Sequence, residues 1–250
     1  MNTSESSPSY IDVTEKINAC HQMVGDDINF AFQTIIDASE QDVIGFEALV
    51  RGIKQESAST VISRISHDKR FDFDQACRIR ALEAAARFGI DGNLHLNCSD
   101  IKAGNVDEVL EVTLHVAETS GIGPDRIVLE LGNLGLLGST ANLVTIRRSI
   151  RRAGFRILAD NFGRRDADLR PVAHLEPSML KLDHYITHDI HRSRPAQAIT
   201  RGVVAMCTDR GIDVIAAGIE SAEEFHWLQD AGIRLFQGYF FAQPGMGEAD

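Results

Sequence analysis

Glu47, Asn97, Glu130 and Asp160, followed by Lys181, Asp183, Glu220 and Gln237, interrupt or end runs of apolar residues that read as strands. Any one of them alone is an ordinary boundary residue, because polar groups gather where strands meet loops. As a set they ask for more. Glu47, Asn97 and Glu130 lie in strongly apolar surroundings, and a buried carboxylate without a partner is costly. A hard divalent cation at one end of the fold would satisfy them together. Oxygen donors without His or Cys favour Mg2+, Mn2+ or Ca2+ over zinc.

Some architecture must bring eight distant positions to one place. Strand-like runs fall at 30–36, 43–50, 94–98, 127–131, 156–161, 179–183, 213–217 and 235–241. Helical patterns fall at 11–23, 72–88, 106–119, 142–152, 196–210 and 222–231. A short polar turn, 38–42, separates the first two strands, which therefore pair as a hairpin. Helices separate the others, which implies parallel pairing through crossovers. Eight strands in 250 residues fit a closed (β/α)8 barrel, an α/β fold, better than an open doubly wound sheet. Strand two is expected to finish near Glu47, strand five at Asp160, and Gln237 to lie in strand eight, so that the set lines the C-terminal mouth.

No Pro- or Ser-rich linker interrupts 26–244, which favours one domain over 26–250, preceded by a flexible segment and short helix over 1–25. Residues 1–8 are expected to be disordered. No apolar run approaches about 18 residues and no signal-peptide pattern opens the chain, so a cytoplasmic protein without membrane contact is expected. Cys20, Cys77, Cys98 and Cys207 are scattered and read as reduced thiols. A net charge of −11 argues against direct nucleic-acid binding. The basic cluster Arg147, Arg148, Arg151 and Arg152 reads as a solvated helix face, with an anionic or acidic-protein contact as the alternative.

The stretch FEALVRG, 46–52, resembles the signature of EAL domains, the cyclic di-GMP phosphodiesterases. The similarity continues in order through FAFQTIID, LHLNCSD, IVLELGN, LADNFG, LKLD, VIAAGIES and FQGYFFAQP, covering about 30–244. It implies a TIM-like barrel whose first strand runs antiparallel to the others. It also implies that Glu47, Asn97, Glu130 and Asp160 ligate a first metal, and that Lys181 helps position or activate the attacking water. Lys181 and Glu47 are then the catalytic residues if the chain is active. Gln33, Leu49 and Arg51 match nucleotide contacts, and a guanidinium suits a phosphate diester. Asp183, Glu220 and Gln237 match residues framing the same mouth. Cyclic di-GMP is the implied ligand and a homodimer the implied assembly.

The departures from the family pattern are concentrated. Active members end the fifth strand in two adjacent aspartates, the second binding a second metal; here that position is Asn161. The glutamate expected after strand seven is Ala217, and the second acid of the strand-four motif is Asn133. The Gly-rich loop after strand five reads Gly163-Arg164-Arg165, and Thr34 replaces a proline. Two divalent cations about 4 Å apart repel by about 17 kcal/mol at an effective dielectric of 20. Carboxylates must offset that, so losing acids at 161 and 217 strips the second site and leaves one ion. Three readings follow: a degenerate regulator that binds cyclic di-GMP with little or no hydrolysis, a metal-dependent phosphodiesterase yielding linear pGpG with Asn161 or Asp166 as a ligand, and a protein-binding regulator of transcription or motility independent of nucleotide.

Other polar groups read more plainly. His184, His188 and His191 are expected on a solvated helix face, Asp72 and Asp74 as N-caps, and Phe225 and Trp227 as barrel packing. Arg164 and Arg165 read as exposed charges or as cations at the mouth that hold an anion.

Overall fold

The computed structural model describes residues 13–25, 27–164 and 169–245. Eight strands close a barrel in chain order. β1 (Ile28–Asp37) and β2 (Asp42–Gly52) form the expected hairpin, with Gln33 opposite Glu47. From β2 onward β3 (Asn93–Asn97), β4 (Ile127–Leu131), β5 (Arg156–Phe162), β6 (Met179–Leu182), β7 (Asp213–Ala216) and β8 (Leu235–Phe236) pair in parallel. β8 then closes on β1 antiparallel, Ile36 opposite Phe236 and Asp37 opposite Leu235. The α/β barrel with one reversed strand is therefore the fold of this chain.

The crossovers are α2 (Ala58–Ser63), α3 (Arg70–Arg87), α4 (Val106–Thr119), α5 (Thr140–Arg152), α6 (Leu169–Leu175), α7 (His184–Thr187), α8 (Arg194–Asp209) and α9 (Ala222–Asp230), with α1 (Val13–Val24) leading in. Ser139, Ser193 and Ser221 accept backbone N–H bonds at the starts of α5, α8 and α9, and Glu224 completes a capping box with Ser221. α2, α6 and α7 were not expected, because one or two turns carry no readable periodicity. Asp72 and Asp74 are not caps: they lie inside α3, whose N-cap is Lys69, since the helix starts two residues earlier than its apolar pattern. Residues 1–8, Arg165 and Asp166 lie outside the described residues.

Inside the barrel, Ile35, Val128, Leu158, Met179, Ile215 and Leu235 form an apolar floor, with Ile44 packed against it. Outside, α1, α3, α4 and α5 pack on one side and α8 and α9 on the other. Phe225 and Trp227 pack, partly buried, against the apolar cluster beneath α8 and α9, as expected. The arginines of α5 are tied down: Arg147 and Arg151 reach Glu176, and Arg152 meets Asp107, while Arg148 is exposed. Among the described residues no helix is long and apolar enough to cross a membrane.

Candidate functional site

Strand side chains alternate faces, so the residue two positions past a floor residue points inward one level nearer the mouth. Glu130 stands two past Val128, Asp160 two past Leu158, Lys181 two past Met179 and Gln237 two past Leu235. β1 runs the other way, so Gln33 stands two before Ile35. The fold thus converts a period of two in separate segments into one polar layer.

The strand ends differ in detail from those expected. Glu47 lies in the middle of β2, which continues to Gly52, because the hairpin with β1 extends beyond the barrel rim. Asp160 and Asn161 lie within β5, where pairing with β6 shifts register between Ala159 and Phe162. Asn161 takes the left-handed conformation there, φ 59°, which Asn tolerates. β6 ends at Leu182, so Asp183 caps α7, its Oδ1 accepting from the Tyr185 N–H at 2.8 Å. β8 ends at Phe236, immediately before Gln237, because Gly238 turns the chain against Ile219.

Lys181 is the hub. Its Nζ donates to Glu47 Oε2 at 2.9 Å and to Glu130 Oε1 at 2.6 Å. Gln237 Nε2 donates to the same Glu47 oxygen at 2.8 Å and to Gln33 Oε1 at 3.3 Å, and Asn97 Nδ2 reaches Glu47 Oε1 at 3.4 Å. One ammonium serves three acids. Burial opposes the charge on Glu47, yet the Lys181 ammonium and the bonds from Lys181 and Gln237 hold its carboxyl down to about 2. Burial, reinforced by the Glu47 charge, pushes Glu130 up to about 8. Burial, with the Glu130 and Glu47 charges against the pull of Lys181, pushes Asp160 up to about 7. Burial disfavours the charge on Lys181, but Glu130, Glu47 and Asp160 together hold it well above the usual lysine range.

A cavity of about 340 Å3 opens above this layer, lined by Gln33, Glu47, Asp160, Asn161, Lys181, Asp183, Ala217, Glu220 and Gln237 among the expected residues. Glu130 is buried beneath it and Asn97 is exposed at the end of β3. Leu49 and Arg51 follow Glu47 on the same face of β2 by the period of two, and Arg51 donates to the Val50 carbonyl at 3.0 Å. Asn133 is exposed, left-handed at φ 49°, and starts the short turn Leu134–Leu136. Asn161 spends its amide nitrogen on Asp160 Oδ2. Arg164 is exposed. His184 lines the cavity; its ring is tilted 41° to that of His188 with centroids 4.8 Å apart, and its Nδ1 lies 3.0 Å from the Gly218 carbonyl.

Three residues that matter here were missed. His95 is fully buried, its Nδ1 3.0 Å from Glu130 Oε1; burial and the Lys181 charge push it down to about 3, so the ring is neutral. Its signal was available: in LHLN it stands two before Asn97, on the same face. Arg78, buried on α3, pairs with Asp74 and donates to the Asn97 carbonyl at 3.3 Å, while Asp74 accepts from the Ser99 N–H at 3.1 Å. Together they bracket the end of β3. Tyr239 lines the cavity and is exposed.

Glu47, Asn97, Glu130 and Asp160 supply oxygen donors suited to a hard cation. Among the described residues no three His, Cys, Asp or Glu side chains form a ready-made ion cage, since the Lys181 ammonium lies between Glu47 and Glu130. Glu130 Oε2 is nevertheless buried with no hydrogen-bond partner among the described residues, which leaves an acceptor open to a further ligand. The residues fit a divalent ion.

The EAL domain family matches residues 18–244. This chain belongs to the EAL domain family. A standalone EAL protein from Vibrio cholerae O395, solved in a c-di-GMP-bound form, is 32% identical, with a TM-score of 0.82 over 89% of this chain and 94% of that one. BlrP1 of Klebsiella pneumoniae, in a complex with manganese and cyclic di-GMP, is 29% identical at a TM-score of 0.81, over 89% of this chain and 57% of that one. The blue light- and temperature-regulated antirepressor BluF of Escherichia coli is 25% identical over 86% of this chain and 54% of its own length. The EAL chain described here thus spans about half of BluF.

Proposed function

We propose that this chain is a cyclic di-GMP-binding regulator that holds one divalent ion at the barrel mouth and hydrolyses the nucleotide little or not at all. The observation that carries this reading is the state of positions 161 and 217. Asn161 turns its amide toward Asp160, and Ala217 faces the cavity with no donor at all. Glu47, Asn97, Glu130 and Asp160 would hold the ion, which when bound supplies Lewis acidity toward a phosphate oxygen. On this reading Gln33 and Tyr239, which line the cavity, offer an amide and an aromatic face to a base, and Arg51, on the Glu47 face of β2, offers a guanidinium to a phosphodiester. Lys181 donates to both Glu47 and Glu130, and on this reading it orients and neutralises them in the metal-free site. The relatives bound to cyclic di-GMP support the ligand.

Calorimetric titration with cyclic di-GMP, with and without Mn2+, tests this reading. Micromolar binding that disappears in Arg51→Ala, without pGpG formation, is the expected result. Release of pGpG in Mn2+ that is abolished by Glu47→Ala would establish an active phosphodiesterase instead. A second reading, nucleotide-independent protein binding, is favoured by the exposure of Leu136, Tyr185 and Tyr239, at 81%, 77% and 60%. Capture of a partner unaffected by Arg51→Ala supports that reading over the receptor.

A further inference from the structure

We propose that His95 is a positioning residue for the ion site: its imidazole fixes the Glu130 carboxylate so that Oε2 stays free for the divalent ion. The proposal rests on the ion-holding reading above. In the barrel floor β1, β4, β5, β6, β7 and β8 contribute Ile35, Val128, Leu158, Met179, Ile215 and Leu235. The β3 residue in register with Val128 is His95. An apolar side chain would complete that layer, and a polar ring there costs free energy unless it is paired. His95 makes one hydrogen bond, from Nδ1 to Glu130 Oε1 at 3.0 Å, and its Nε2 is buried without a partner. The ring is therefore poorly satisfied on its own account.

The two oxygens of Glu130 are treated unequally. Oε1 receives both Lys181 Nζ, at 2.6 Å, and His95 Nδ1, whereas Oε2 is buried and receives neither. When the carboxylate is ionised, as an ion would require, Nδ1 carries the hydrogen, and two donors then arrive on one oxygen from β3 and β6 and oppose rotation about the terminal bond. An ion taken through Oε2 then meets an oxygen already aimed, without the entropy of fixing it. Outer groups of this kind change metal affinity by about 10–100-fold when removed.

Mn2+ calorimetry on the full chain and on its His95→Leu and His95→Asn variants tests the assignment, with thermal melts in EDTA alongside. Asparagine carries its amide nitrogen at the same bond count from the backbone as Nδ1. His95→Leu is expected to weaken Mn2+ binding by about 10–100-fold, with a metal-free Tm no lower than wild type, because leucine completes the apolar floor. His95→Asn is expected to recover affinity. Equal Mn2+ affinity in His95→Leu and wild type overturns the role of His95 alone. No Mn2+ binding by the wild type overturns it together with the ion-holding reading. A fall in metal-free Tm for His95→Leu, or equal loss of affinity in both variants, overturns it in favour of a packing role.

Discussion

Ion uptake at the mouth must release protons, and the amount follows from the three acids that share Lys181. Glu130 is held up to about 8 and Asp160 up to about 7, while Glu47 is held down to about 2. Near pH 7 Glu130 and Asp160 therefore retain protons that ordinary carboxylates have lost, whereas Glu47 is ionised. A divalent ion that takes both as carboxylates displaces roughly one to two protons there, fewer as pH rises past about 8. Its affinity then rises with pH between about 6 and 8 and levels off above that range. Mn2+ calorimetry at pH 6, 7 and 8, in buffers of different ionisation heat, measures both the affinity and the protons released. Glu130→Gln should lower the release by up to about one proton. An affinity flat from pH 6 to 8, with no buffer dependence of the heat, would refute the charge accounting.

The same shifts set the pH dependence of the metal-free protein. Glu130 and Asp160 have folded values above their unfolded ones, so their stabilisation is complete below about 4 and is lost as pH rises through about 7 and 8; Glu47 is the opposite case, its contribution present above about 4.5 and lost as pH falls toward 2. Urea unfolding in EDTA should accordingly show stability falling as pH rises from about 4.5 to 8 and levelling above that. Arg78→Met leaves Asp74 without its buried partner, and should cost about 3–5 kcal/mol by urea unfolding; a loss below about 1 kcal/mol would remove Arg78 from the bracket on Asn97. Asn161→Asp with Ala217→Glu should raise pGpG production about tenfold or more, about 1.4 kcal/mol of barrier; unchanged turnover with a second ion bound would shift the defect to the loops. Gly238→Ala places a Cβ about 2.2 Å from the Ile219 carbonyl oxygen, and should destabilise by about 1–3 kcal/mol or more in a thermal melt.

The barrel was legible because its evidence is local and repeated. Apolar runs bounded by helices specify strands, and helices between strands leave parallel pairing through crossovers as the workable closure. The acids at Glu130 and Asp160 were legible for a related reason: each breaks an apolar strand at the face that alternation assigns to the interior. Short elements were not. α2 (Ala58–Ser63) and α7 (His184–Thr187) span at most two turns, so packing decides them and periodicity does not.

The sequence by itself determined which donors exist: the oxygens of Glu47, Asn97, Glu130 and Asp160, the amine of Lys181, and an amide and a methyl at Asn161 and Ala217. It could not determine their pairing. That Lys181 lies between Glu47 and Glu130, that Asn161 turns toward Asp160, and that His95 and Arg78 support Glu130 and Asn97 depends on closure of the sheet. These contacts join residues from 1 to 134 positions apart along the chain. Only strand register and burial set their distances and charge states, because the cost of leaving a buried charge unpaired is a property of the folded interior.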